Sequence, residues 1–185
     1  MARSGARTVT PSVHTTVRTA RSTLSFYQAD CLDVFASLPS DSVSVIVTSP
    51  PYNLGIEYRS YDDSLPRAEY LQWTEAWTAA AARVLEPEGS LFLNLGAKPT
   101  DPWTAMDIAQ AARAHLQLQN TIHWIKSIAI EKALAGARAG LQDDLAVGHY
   151  KPINSRRFLH DCHEFVFHFT PTGATPLERQ AVGVK

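Results

Sequence analysis

An α/β fold is what this sequence predicts: parallel strands with intervening helices, finished by an antiparallel pair at the sheet's edge. Three observations lead there. Strand-like runs alternate with helix-period segments from Leu24 to Leu116, one of those runs is mostly β-branched and apolar, and two period-2 runs follow late in the chain. With 185 residues, 45% hydrophobic and 19% charged, the chain reads as one globular domain able to bury a core. No apolar run approaches the ~20 residues needed to span a bilayer, and the amino terminus lacks the apolar stretch of a secretion signal. A cytoplasmic protein without membrane attachment is therefore expected. Cys31 and Cys162 make no metal-ligand spacing and read as thiols.

The elements follow in order. Residues 1–22, rich in Ser, Thr, Arg and Ala, read as a mobile basic tail with at most one short extended piece. "LSFYQA" predicts a strand, and "CLDVFASLPSDS" a short helix burying Leu32, Phe35, Ala36 and Leu38. "VSVIV", Val43 to Val47, is too apolar for a wet face and predicts a strand covered on both sides. Proline cannot donate to a ladder, so this strand must stop at Ser49-Pro50-Pro51-Tyr52 and deliver those residues to its carboxyl end. In open α/β sheets that end is where ligands bind.

Ser64 can cap the next helix, Pro66 suits its first turn, and Tyr70, Trp73, Trp77, Ala80, Ala81 and Val84 form its core stripe. "EPEG" ends it, "SLFLNLG" predicts another buried strand, and Asp101-Pro102 opens a helix with Ala105, Ala109, Ala112 and Leu116 on one side. "TIHWIKSIAI" and "HEFVFHF" are the two alternating runs. Between them, Glu131 to Gly148 contains Gly136 and Gly140, which weaken any helix there, and "GHYKPINSRRFLHD" gathers cations, amides and aromatics suited to a nucleic-acid strand. Residues 23–170 thus form the body of the domain, and 171–185 read as a linker.

The net charge of -1 announces no nucleic-acid binder, yet Arg3, Arg7, Arg18 and Arg21 precede the first acid, and Lys151, Arg156 and Arg157 cluster later. Each group suits either phosphate or a solvated surface. The His160, Cys162, His163 and His168 cluster suggests zinc, but strand alternation points His163 away from Cys162, so no metal is expected.

"SPPY" suits chemistry on the exocyclic amino group of a nucleobase. That nitrogen's lone pair is delocalised into the ring, and acceptors in the base plane are needed to hold its hydrogens. A proline-fixed carbonyl and a serine oxygen supply acceptors, and the following ring can stack on the base for roughly 1–3 kcal/mol. A paired base hides its amino group and must be swung out of the duplex.

Thr48 to Tyr52 resembles the catalytic motif of S-adenosylmethionine-dependent DNA amino-methyltransferases, in which Asp, Asn or Ser precedes Pro-Pro and an aromatic. "YQADCLDVFASLPSDSVSVIVTSPPYNLG", "WTEAWTAAAARVLEPEGSLFLNLG", "HWIKS" and "HYKPINSRRFLHDCHEFVFHF" extend the resemblance from about Leu24 to Thr170. It implies a partial Rossmann-like methyltransferase sheet and a cytosine N4 target in preference to adenine N6, since serine leads the motif. Ser49 and the Pro50 carbonyl would hold the amino group, with Pro51 stiffening the corner, and Tyr52 would stack on the base. Asp30 and Cys31 would contact the cofactor's adenine part, although Ala29 replaces the family's glycine, and Asn53 would border its methionine part. Lys126, Lys151, Arg156 and Arg157 would hold DNA phosphates. Trp124 reads equally as a neighbour of the target pocket or as a core residue. Transfer would be a direct in-line attack on the sulfonium methyl, with no cysteine nucleophile.

The sequence also departs from the family. No turn like Asp-Pro-Phe-x-Gly-x-Gly, whose backbone approaches the cofactor, is present. Only 48 residues precede Ser49, which fits the permuted class, in which the cofactor half follows the target half. The glycine-loop strands would be missing between the strands carrying Phe26 and Ile46, leaving a gap and unpaired edges. The leading expectation is the target-base half of a site-specific DNA methyltransferase, partnered by a complementary chain or missing C-terminal half and by a cognate restriction endonuclease. The alternatives are an inert DNA-binding remnant and an RNA or protein-glutamine methyltransferase.

Overall fold

The computed structural model describes residues 13–58, 61–130, 132, 143, 145–148, 155–159, 162–178 and 181. Its main sheet contains β3 (Val43–Thr48), β4 (Leu85–Leu95), β8 (His163–Thr170) and β5 (Gln117–Ile125), in the spatial order β3-β4-β8-β5. β3 and β4 are parallel, joined through α2 (Arg67–Val84), whereas β8 runs antiparallel to both β4 and β5. The α/β class and the antiparallel pair are therefore present, with β8 inside the sheet and β5 at its edge.

Strand alternation separates two faces of this sheet. Leu91, Leu93 and Leu95 of β4 pair with Phe169, Phe167 and Phe165 of β8, and they pack with Tyr70, Trp77 and Ala81 of α2. Ala105, Ile108 and Ala112 of α3 (Thr104–Ala112) complete that core, with Leu116 just beyond the helix. The opposite face carries Val45, Val47, Phe92, Asn94, Glu164, Ile122 and Trp124, aligned by register. Val45 is 55% and Val47 75% exposed, and Ile122 and Trp124 are exposed as well. The strand expected to be covered on both sides is thus covered on one, because α2 and α3 pack against the same face. Trp124 is correspondingly a surface residue of the edge strand, not a core one.

Several local expectations are corrected. Val13–Arg18 (β1), the short extended piece allowed for in the tail, pairs antiparallel with Thr23–Tyr27 (β2), so the strand carrying Phe26, expected beside the strand of Ile46 in the main sheet, belongs to a separate hairpin. The run "TIHWIKSIAI" breaks at Lys126, whose N–H donates to the Cys162 carbonyl; Ser127–Ile130 (β6) then pairs with Leu145–Gly148 (β7). Ser64 does not cap α2. Its hydroxyl donates to Asp62 at 2.5 Å, and Pro66 occupies the cap, where its missing N–H costs nothing. In α1 (Cys31–Ser37), Leu32 and Phe35 are half-buried while Ala36 is exposed. The end of α1 is held by Arg83 of α2, whose guanidinium donates to the Phe35 carbonyl at 2.5 Å and the Leu38 carbonyl at 3.1 Å. Most of the 131–144 connection, Tyr150, Lys151, Asn154 and His160 lie outside the described residues.

"EPEG" forms a bulge between α2 and the straight part of β4. Val43 pairs with Leu85 but Val45 with Ser90, and a Cβ on Gly89 would stand 2.9 Å from the Glu86 carbonyl oxygen, so only glycine fits. No helix among the described residues is long and apolar enough to cross a membrane.

His168 is buried in the sheet, stacked on Phe92, with Asn120 Nδ2 and Ser90 Oγ each 3.0 Å from a ring nitrogen. Burial lowers its pKa below the ordinary 6.5. The unfolded chain therefore binds a proton below about pH 6.5 that the folded chain refuses, and stability falls as pH drops from 6.5 through the lowered folded value. The thermal midpoint is expected to decline over that window, and a His168→Gln variant should show a shallower decline in the same melting series.

Candidate active site at the carboxyl end of β3

β3 stops at Thr48 and the chain turns at once through Ser49-Pro50-Pro51-Tyr52. Ser49 is exposed, Pro50 buried, and Pro51 and Tyr52 half-buried, so the corner opens at the surface. Tyr70, fully buried on α2, donates its hydroxyl to the Pro51 carbonyl at 2.5 Å, tying the corner to the helix beneath it. Desolvation raises the Tyr70 pKa far above the usual phenol range, which keeps it a donor.

The loop after the motif is wound around one carboxylate. Asp63, 2% exposed, accepts from the backbone N–H groups of Asn53, Leu54 and Ile56 at 2.9, 3.0 and 3.0 Å, and its carbonyl accepts from Gly55 N–H at 2.8 Å. Asn53 and Gly55 take left-handed conformations, φ 56° and 71°, to aim those groups inward. Asn53 Nδ2 donates to the Leu65 carbonyl, while its Oδ1 is buried without a partner.

Tyr52 joins the corner to the sheet's exposed face. A Cβ on Gly96, at the end of β4, would lie 3.1 Å from the Tyr52 ring, so glycine makes room for it. The Tyr52 hydroxyl lies 2.7 Å from Ser49 Oγ and 2.7 Å from Asn94 Nδ2. The amide N–H donates to the phenol oxygen, and either hydroxyl can be the donor in the Tyr52–Ser49 bond. Burial raises the Tyr52 pKa, an effect the Ser49 bond offsets in part and the Glu164 charge reinforces. Asn94 Nδ2 also donates to Glu164 Oε2 at 2.9 Å, and the other carboxylate oxygen pairs with Lys126. Asn94 Oδ1 is buried with no partner, a condition that costs roughly 1–3 kcal/mol.

The structure therefore unites Ser49, Pro50, Pro51, Tyr52 and Asn53, and connects Lys126 to them through Glu164 and Asn94. Lys126 also lies 5.5 Å from the centroid of the Trp124 ring. Asp30 and Cys31 sit at the start of α1, where the Asp30 carboxylate caps the helix by accepting from Leu32 N–H at 2.9 Å. Desolvation first, and the Asp30 charge second, push the Cys31 thiol above its ordinary value, which disfavours a thiolate nucleophile. Arg156 and Arg157 are exposed on the 155–159 loop, Arg157 over the Phe158 ring, and Lys151 lies outside the described residues. Among the described residues no three His, Cys, Asp or Glu side chains form a metal-binding group.

Sequence reasoning missed Asn94, Glu164, Asp63 and Tyr70 as parts of this site. The one available signal was Asn94, a lone amide within the apolar run "SLFLNLG".

The chain thus carries a diproline corner at the end of a parallel strand, on a sheet with an antiparallel flank. Residues 43–185 match the family model N6_N4_Mtase, described as DNA methylase, and the chain belongs to that family. It is 50% identical over 58 residues to the type II methyltransferase M.MjaVI of Methanocaldococcus jannaschii, covering 31% of this chain and 30% of that protein. With M.BamHI of Bacillus amyloliquefaciens it shares 40% identity over 68 residues, 36% of this chain and 16% of that one. In fold it resembles the PvuII cytosine-N4-specific DNA methyltransferase, with a TM-score of 0.59 and 19% identity over 85% of this chain and 52% of that one. It also resembles TTHA0409 of Thermus thermophilus in complex with S-adenosyl-L-methionine, with a TM-score of 0.50 and 21% identity over 82% of this chain and 55% of that one. The chain thus spans about half the length of these solved structures, and its matches to the curated relatives cover less than a third of theirs.

Proposed function

We propose that this chain is the target-base half of a DNA amino-methyltransferase that uses S-adenosyl-L-methionine and acts on an extruded base, cytosine N4 in preference to adenine N6. The observation that carries this reading is the surface-open cluster at the carboxyl end of β3, an exposed serine oxygen and an aromatic ring held around one small corner, with the Asn94 amide nitrogen donating to the Tyr52 hydroxyl. Ser49 Oγ and the Pro50 carbonyl accept the hydrogens of the amino group and orient its lone pair, and the Tyr52 ring stacks on the base. Positioning of this kind supplies most of the rate in a direct displacement.

The residues present fit part of a cofactor site. The buried, unpaired Asn53 Oδ1 beside the motif is an acceptor suited to an ammonium or amino group, and Asp30 and Cys31 would border the adenine. The cofactor supplies an electrophilic methyl group when bound. The glycine-rich turn of the family does not occur in this sequence, and a complementary polypeptide would provide it. The uncovered face bearing Val45, Val47, Ile122 and Trp124, together with the open edge of β3, supports such a partner, since apolar strands of this composition are ordinarily covered. Arg156, Arg157 and Lys151 would hold DNA phosphates.

The test is reconstitution. The chain alone should transfer little labelled methyl from S-adenosylmethionine to DNA, and the mixture with a folded polypeptide supplying the glycine turn should transfer it readily. Absence of label in that mixture, with both pieces folded by circular dichroism, would count decisively against the reading.

A further inference from the structure

Asp63 stands where the chain returns to the motif. A backbone bridge between Glu57 and Asp62 folds the loop back, so that a residue 10 positions beyond Asn53 lies against it. Asp63 is 2% exposed and no cation among the described residues pairs with it, so its carboxylate is met by N–H groups. The two oxygens are used differently. Oδ1 accepts only the Asn53 N–H, at 2.9 Å, whereas Oδ2 accepts those of Leu54 and Ile56, at 3.0 Å each. Asn53 is held from its other end as well, by the bond of its Nδ2 to the Leu65 carbonyl at 2.8 Å. Its φ of 56° is costly for a residue with a Cβ, although less so for Asn than for most, and the two bonds offset that cost. Tyr52 immediately precedes it. The hold on Asn53 therefore sets the direction from which the Tyr52 ring projects, against Gly96 and with its hydroxyl 2.7 Å from Ser49 Oγ.

We infer that Asp63 is a positioning residue for methyl transfer: through Oδ1 it keeps Asn53 left-handed, and so keeps Tyr52 aligned for the extruded base. Asp63 touches no substrate itself. This rests on the target-base reading above and adds to it the residue that aligns the stacking ring.

Asp63→Asn separates the two oxygens. Its single amide oxygen does best in the Oδ2 place, where it serves two N–H groups, and its nitrogen then meets the Asn53 N–H donor to donor. The variant thus releases Asn53 and keeps the rest of the loop. Alignment is read without substrate on the full chain, with isotopically enriched tyrosine rings in proton–carbon correlation NMR. The Tyr52 and Tyr70 cross-peaks are identified by their loss in Tyr52→Phe and Tyr70→Phe. In Asp63→Asn the Tyr52 cross-peak should move at least halfway to the position of free tyrosine, while that of Tyr70, buried on α2, should stay. The enzyme reconstituted with a polypeptide supplying the glycine turn should lose about ten- to a hundredfold in kcat, with KM for DNA within about twofold of wild type, the pattern of a misplaced reacting group. A Tyr52 cross-peak that does not move overturns the inference, as does an unchanged kcat. A Tyr52 cross-peak that moves together with that of Tyr70 also overturns it, because Asp63 is then a general support of the fold. If Asp63→Asn fails to fold, Asn53→Ala puts the same question: it keeps the carboxylate and the backbone N–H groups but penalises the left-handed turn, and an unmoved Tyr52 cross-peak there overturns the inference. A wild-type mixture that transfers no methyl removes the target-base reading, and the role in transfer with it, while the cross-peaks still decide whether Asp63 holds Tyr52.

Discussion

Tyr52→Ala is expected to lower methyl transfer by the reconstituted enzyme about a hundredfold or more, with retention of DNA changed only severalfold. In the proposed function the ring is the stacking surface for the extruded base, worth roughly 1–3 kcal/mol, and the Tyr52 hydroxyl lies 2.7 Å from both Ser49 Oγ and Asn94 Nδ2. Losing both displaces the amino group from its line of attack, and a misplacement of about 1 Å suffices for a hundredfold loss. In the proposed function, affinity for DNA rests instead on phosphate contacts by exposed cations such as Arg156 and Arg157, which the substitution does not touch. Initial-rate measurements beside filter retention at one salt concentration separate the two. Equal losses in both would assign Tyr52 to binding alone.

Tyr70→Ala should produce the largest loss of stability. The side chain is 0% exposed, packs against Trp73 with ring centroids 5.7 Å apart, and donates to the Pro51 carbonyl. Truncating a buried aromatic costs about 3–5 kcal/mol, which for a chain of this size lowers the melting temperature by roughly 6–20 °C. Tyr70→Phe is the informative companion. It keeps the ring and removes only the donor to Pro51, so its cost should be about 1–3 kcal/mol, and its effect on methyl transfer should be disproportionate because the diproline corner loses its tether. Urea titration followed by tryptophan fluorescence, near Trp73 and Trp77, measures both.

The parts of this molecule legible in the sequence are those encoded within a short stretch. Tyr70, Trp73 and Trp77 recur at helical spacing and mark α2, and Pro50-Pro51 marks the end of β3 because a missing N–H is visible in one letter. The Asn94–Glu164 contact was not legible. Its partners are 70 residues apart and meet only because β8 inserts beside β4 in a register that places them on one face. The wet face of β3 was hidden for a different reason: Val45 and Val47 record the covering the strand is suited to, and composition does not say whether that covering comes from the same chain. The cap of α2 was misplaced by two residues because Asp62 competes for the Ser64 hydroxyl, a contest that propensity does not weigh.

The knot of backbone amides on Asp63 bears on how a guest is received. Residues 53–56 have surrendered their freedom during folding, with three N–H groups committed to one side chain, so in the proposed function a nucleotide entering beside them would meet a wall already cast. Adaptation is then left to single side chains, Tyr52 above all, and selectivity among guests becomes a matter of fit to a rigid mould.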